Sequence, residues 1–340
     1  MTDRSSAPRI GLALQGGGAH GAYGWGVIDR LLEDGAEIAA VSGASAGALN
    51  GAALVTGLVE GGTDGARAAL ERVWRTVAAR SPLSGFDWSA LAGPWMEPWL
   101  RHGLEAAKLA SRYFAPFTPG LADMRALRSV IAGTIDLDRL ADPRAVPLHI
   151  SATKVATGAA RLFEGDGITL DALMASACLP DLFAPVEIDG EFHWDGGFSA
   201  NPPVEPLVID DRVTDIIVAQ ITPFAAGPPD RTPAAITRRI NDITFNAVLA
   251  RELGALTAMQ SIARDTADAD PRLAVLAALR LHMIEPPATL GGISKLDTRW
   301  SQIAWMRDLG RDHAGAWLAE HGAAIGCRST LDALPGEMAA

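Results

Sequence analysis

Cysteine is scarce. Cys178 and Cys327 are the two in 340 residues, too few for a disulfide framework or a four-cysteine zinc site. Such usage fits a reducing compartment, and the chain reads as cytoplasmic. Basic residues are outnumbered as well: 29 Lys and Arg against 40 Asp and Glu give a formal charge of −11, an average that a nucleic-acid duplex or an anionic bilayer would repel. Nucleic acid is therefore excluded as the expected partner. The opening MTDRSSAPR leads only into the short apolar run IGLAL, so the long apolar core of an export signal is missing. The stretch from Ile38 to Val59 carries no charge and has the length of a membrane span. Its Ser42, Ser45, Asn50, Thr56 and four glycines argue instead for a buried strand, a turn and a helix. There is no internal repeat, no HExxH and no long charge block, and nothing in the chain asks for a metal or a cofactor.

What is present is an ordinary globular composition, 49% apolar and 20% charged, in a chain long enough for one large α/β domain or two smaller ones. Apolar periodicity predicts a strand at 9–14, then a loop and a helix with Val27, Leu31 and Leu32 on one face and Gly35 at its stop. EIAAVSG follows as a second strand feeding at once into a small-residue helix, and another helix is expected at 63–79. This βαβα opening predicts an α/β fold with a mostly parallel central sheet and helices on both faces. Residues 81–120 change character: five prolines interrupt Trp88, Trp95, Trp99, Phe114 and Phe117, and the segment reads as an irregular apolar insertion. Its tryptophans either pack in the core or form an apolar flap that meets lipid, with Arg101, Lys108 and Arg112 as the local basic residues.

Helical spacing resumes at 124–140, and PLHISATKVATGAARLFEG reads as two strands turning at Thr157 and Gly158. LDALMASACLP is a helix that Pro180 helps to end. VEIDGEFHW alternates as a hairpin turning at Asp189 and Gly190, a pair suited to a type I′ turn. TDIIVAQI is a further strand. The expected organisation is a catalytic domain at 9–220, the linker AAGPPDRTP, and a mostly helical region at 234–330 packed on it, with one strand in LRLHMIEP.

Three motifs carry chemistry. Gly43, Ala44, Ser45, Ala46 and Gly47 match the GxSxG elbow between a predicted strand and a predicted helix, where side chains beside the serine would clash and the helix aims its amide dipoles at developing negative charge. Gly16, Gly17, Gly18, Ala19, His20 and Gly21 occupy an equivalent strand-to-helix loop whose free N–H groups suit an oxyanion hole. The same residues fit a dinucleotide fingerprint, but the acid expected at the end of the second strand is replaced by Ser42 and Gly43. Asp195, followed by Gly196 and Gly197, leaves a hairpin with its carboxylate clear of neighbouring side chains; on local pattern alone an aspartate before two glycines is more often a turn residue. None of the seven histidines stands in an obvious relation to Ser45, and an elbow after only the second strand does not fit an α/β-hydrolase triad.

Together GGGAHG, GASAG and DGG, with ASACLPDLFAPVEIDGEFHWDGG leading to the last, resemble the patatin-like phospholipase family over about residues 9–220. The resemblance implies a three-layer fold and a serine acyl hydrolase. In that family the glycine-rich loop supplies the oxyanion hole, the GxSxG serine is the nucleophile, and the DGG aspartate completes a Ser/Asp dyad without histidine. Here these would be Ser45 and Asp195, with the N–H groups of Gly17, Gly18 and Ala46 binding the oxyanion and Gly16, Gly21, Gly43, Gly47, Gly196 and Gly197 as motif glycines. The substrate would be a lipid or other acyl ester, met in an accessible cleft with transient contact to a membrane or lipid surface. Where many members carry Arg or Lys this chain has His20, so a positive charge beside the loop is lost or becomes pH-dependent; a helix-start residue with no role is the plain alternative. A non-catalytic lipid-binding or acyl-ligand-binding protein of the same fold is the competing reading of the whole chain, and the intact Ser45 and Asp195 favour the enzyme.

Overall fold

Strand alternation decides the layering. In Asp215–Ala219, Ile217 and Ala219 point into one apolar cluster and Ile216 and Val218 into another, so the sheet is buried on both faces, as a parallel sheet requires. The computed structural model describes residues 7–80, 124–225, 231–266 and 270–331. The apolar insertion expected at 81–120 and part of the expected linker lie outside the described residues.

The chain runs β1 (Arg9–Leu14), α1 (Gly21–Glu33), β2 (Glu37–Ala44), α2 (Ala46–Arg80), α3 (Arg125–Thr134), β3 (Leu148–Lys154), β4 (Ala160–Glu164), α4 (Leu170–Ser176), β5 (Val186–Ile188) and β6 (Glu191–Asp195). It continues through α5 (Glu205–Val208), β7 (Asp215–Ala219), α6 (Pro233–Thr266), α7 (Pro271–Ala278), β8 (Arg280–Ile284) and α8 (Trp300–His321). Strands β3, β2, β1, β7 and β8 are neighbours in that order and parallel, while β4, β5 and β6 are antiparallel additions at the β3 side. One face is covered by α1, α2, α3, α4 and α8 through residues such as Ile28, Leu54, Ile131, Leu173 and Met306. The other is covered by α5 and α6 through Leu207, Leu249, Leu253 and Leu256. Each such fully buried aliphatic side chain contributes about 1.5–3 kcal/mol. This is the three-layer arrangement expected, with a helical carboxy-terminal region.

Two helices differ from the sequence reading. The helix expected at 124–140 stops at Thr134, where Gly133, Thr134 and Ile135 are successive weak helix formers. Ile135 turns extended and is buried in the first core. The charge-free helix after β2 and the one expected at 63–79 form α2 together, bent at Gly61 and Gly62, whose backbone is not helical. Asp189 and Gly190 adopt φ of 55° and 78°, the two left-handed residues of a type I′ turn. No helix among the described residues is long and apolar enough to cross a membrane.

Candidate active site

The register of β3 explains why Ser45 and Asp195 are neighbours. Its first half pairs with β2, up to Ala44 opposite Ser151; its second half pairs with β6, down to Asp195 opposite Ala152. Because β4 lies on the other edge of the same residues, β2 and β6 share one edge and run toward each other. They stop at Ala44 and Asp195, and the Ser45 Oγ donates to Asp195 Oδ2 at 2.7 Å across the gap. Ser45 has a φ of 54°, a strained value for a residue with a Cβ and the mark of a nucleophile elbow. The first-turn amides of α2 begin at Ala46, where N–H groups have no partner within the helix.

Glycine is needed where backbones touch. A Cβ on Gly16 would lie 2.5 Å from Ala44 O and 2.7 Å from Ser45 Cβ, so the glycine-rich loop packs directly on the elbow. A Cβ on Gly43 would strike Gly47 O at 2.5 Å, one on Gly47 would strike Leu14 O, and one on Gly21 would meet Ala46 Cβ at 2.5 Å. Gly196 lies on Ser151 and Gly197 under the Phe245 ring. All six motif glycines thus stand at close approaches around one point.

The loop and the elbow are held by side chains that no local pattern marks. Asn201 Oδ1 accepts Gly16 N–H at 2.7 Å, and Ser176 Oγ accepts Ser45 N–H at 2.9 Å. Gln15, at the end of β1, accepts the N–H groups of Ile221 and Thr222, both at 2.8 Å, and donates to Asn246 Oδ1 at 2.8 Å. Asn246 in turn donates to the carbonyls of Thr222 and Pro223. Ala19 N–H is taken by Lys295 O at 2.8 Å. Among the described residues the N–H groups of Gly17 and Gly18 are given to no such acceptor, which leaves them available to a ligand. Gly18 has a φ of 61°, and a side chain there would strike Lys295 O.

Burial raises the Asp195 carboxyl to about 7, against the opposing hydrogen bonds from Ser45 Oγ and Gly197 N–H. A carboxylate with that affinity for protons is a better base toward an alcohol than an exposed aspartate. Its backbone is fixed too: Asp195 N–H donates to Cys178 O, and Thr153 Oγ1 donates to Asp195 O at 2.7 Å. Ser45 itself is buried, 6% exposed. His20 is buried rather than facing solvent. Burial first, and Lys295 second, lower it to about 4, which favours the lost-charge alternative over a pH-dependent one. His193, two residues before Asp195, packs edge-on against Phe163 at 6.1 Å between centroids. Among the described residues no group of three His, Cys, Asp or Glu is disposed to hold a metal ion.

Three comparisons bear on this arrangement. The model of the family described as patatin-like phospholipase matches residues 12–208. Uncharacterised NTE family proteins of Mycobacterium bovis and Mycobacterium tuberculosis are 26% identical over 258 residues, which is 73% of this chain and 61% of theirs. The chain thus spans about three fifths of the length of these curated relatives. Among solved structures, VipD from Legionella pneumophila has a TM-score of 0.43 at 18% identity, covering 93% of this chain and 67% of that one.

Proposed function

The chain belongs to the patatin-like phospholipase family, whose members are typically lipid acyl hydrolases, and from that premise we propose that Ser45 and Asp195 hydrolyse an acyl ester through an acyl-enzyme. The observation that carries this reading is the 2.7 Å hydrogen bond from Ser45 Oγ, at a strained elbow, to the buried Asp195 carboxylate. Asp195 takes the Ser45 proton as Oγ attacks the acyl carbon. The carbonyl oxygen becomes an oxyanion held by the N–H groups of Gly17, Gly18 and Ala46, and losing one such donor typically costs about 3 kcal/mol of transition-state stabilisation. Collapse expels the alcohol, which leaves with the proton from Asp195. Water then attacks the acyl carbon and gives its proton to Asp195; the second collapse frees the acid, and the proton returns to Ser45 Oγ.

No histidine enters this cycle. Phe198 and Phe245, an edge-to-face pair 5.0 Å apart beside Gly197, offer an apolar wall to an acyl chain, and Phe198 is 36% exposed, which suits transient contact with a lipid surface. The test is incubation with a fluorophosphonate probe followed by intact mass and peptide mapping. One adduct on Ser45, absent from Ser45→Ala, is the expected result. A folded protein that binds acyl ligands and gains no adduct would be a binding protein of the same fold and would end the enzymatic reading.

A further inference from the structure

A cation beside the glycine-rich loop comes from the last third of the chain. Between β8 and α8, Ile293 O meets His20 Nε2 at 3.1 Å and Lys295 O accepts Ala19 N–H, so this segment clasps the loop by its backbone. The side chain of Lys295 then reaches back over the site. Its Nζ donates to Thr222 Oγ1 at 3.2 Å and to Asp242 Oδ1 at 2.9 Å. Thr222 Oγ1 lies 3.8 Å from the point where Gly17 would carry a Cβ, which puts the ammonium one contact away from a proposed oxyanion donor. On its other side Nζ is 5.7 Å from the centroid of Phe245, the ring that covers Gly197 beside Asp195. Lys295 therefore lies between a neighbour of the Gly17 loop and the ring that covers Gly197.

An ammonium has three N–H donors, and the described residues take two of them. Its side chain is 30% exposed and that of Asp242 20%, so the third donor can meet a ligand without the burial of a bare charge. The neighbouring His20 adds no charge, being buried and held below its ordinary range. Asp195, the other ionisable group of the site, carries no cationic partner of its own among the described residues.

We propose that Lys295 is the specificity-determining cation of this site, and that it selects acyl esters whose alcohol part bears a phosphate or other anionic group. The assignment rests on the acyl-ester hydrolase reading above. The ammonium binds the anion beside the oxyanion loop, and Asp242 holds it in place and competes with the ligand for it. Lys295 acts on binding and takes no part in the proton transfers.

The test compares two substrates that differ only in the phosphate, 1-oleoylglycerol and 1-oleoyl-lysophosphatidic acid, dispersed in a neutral detergent. The readout is the ratio of their kcat/KM values for wild type, Lys295→Gln, Lys295→Arg and Asp242→Asn, with thermal unfolding followed for each variant. Lys295→Gln should lower the ratio for the anionic over the neutral ester about tenfold, mainly through KM, as expected for loss of a charged hydrogen bond. Lys295→Arg should keep most of the ratio. Asp242→Asn should raise it, because the competing carboxylate is gone. The wild-type preference should also shrink as salt is added. Equal losses on both substrates in Lys295→Gln, or a lower ratio in Asp242→Asn, would overturn the assignment while leaving the hydrolase reading intact. Failure of the wild type to turn over either ester, with no fluorophosphonate adduct on Ser45, would remove the hydrolase reading and this one with it.

Discussion

Residues 12–208, which match the family model, and residues 231–331, which follow it, contribute to the site in different ways. The first region carries both proposed reacting groups, each on a short turn at a strand end and each flanked by glycines. The second carries none of them, yet it packs Phe245 on Gly197, ties Asn246 to Gln15, and clasps Ala19 through Lys295 O. Chemistry and its support are thus divided along the chain. A turn of five residues can present a nucleophile, but holding two loops in register takes groups that come from elsewhere in the fold.

That division predicts a graded set of losses. Ser45→Ala should reduce kcat/KM on a short acyl ester by at least about 10⁴-fold, and Asp195→Asn by at least about 10³-fold, as removal of a nucleophile or its partner does elsewhere. Both variants should keep the wild-type circular dichroism, because each change is small. A Gly16→Ala variant forces a Cβ onto Ala44 O and Ser45 Cβ, and the displaced oxyanion loop should lower kcat about 10²-fold with little change in KM.

Support from the second region should cost less activity and more stability. Asn246→Leu leaves the buried Gln15 amide without its acceptor, which should destabilise the fold by about 1–3 kcal/mol in urea titration and lower kcat about tenfold. If it instead matched Ser45→Ala in activity while remaining as stable as wild type, the division between chemistry and support would be wrong. The pH profile sharpens the same point. A general base must be deprotonated, and Asp195 is raised to about 7, so kcat/KM should be level above that pH and fall about tenfold per unit below it. An aspartate of ordinary acidity would hold the rate level to about pH 5. The smallest effect is expected at His193, since neither proposed proton transfer uses it: His193→Gln, if folded by circular dichroism, should stay within about threefold of wild type on the short ester.

The parts legible in the sequence were those with a local pattern. Strand alternation, the Asp189-Gly190 turn and the three glycine motifs each leave a signature within a few residues. That Asp195 faces Ser45 was legible only through resemblance to a family, since by itself an aspartate before two glycines is an ordinary turn residue. The physical reason for the pairing is the shared edge of β3, a matter of register between strands more than a hundred residues apart. Gln15, Ser176, Asn201, Asn246 and Lys295 were not found at all. Each is a single polar residue whose role depends on a partner distant in sequence, and one Asn or Lys on a helix or loop reads the same whether it faces water or a backbone amide. Sequence left His20 open between a lost charge, a pH-dependent charge and no role, because its charge depends on burial within the fold, which composition cannot reveal.

The central claim is that a buried aspartate, without histidine, activates Ser45. Its most direct test is the rate at which a fluorophosphonate modifies Ser45 in wild type, Asp195→Asn and His193→Gln, followed by intact mass from pH 5 to 9. The account predicts a wild-type rate that rises with pH through about 7, a loss of at least about 10²-fold in Asp195→Asn, and a rate near wild type in His193→Gln. Modification of Asp195→Asn at the wild-type rate, or its abolition in a folded His193→Gln, would contradict it.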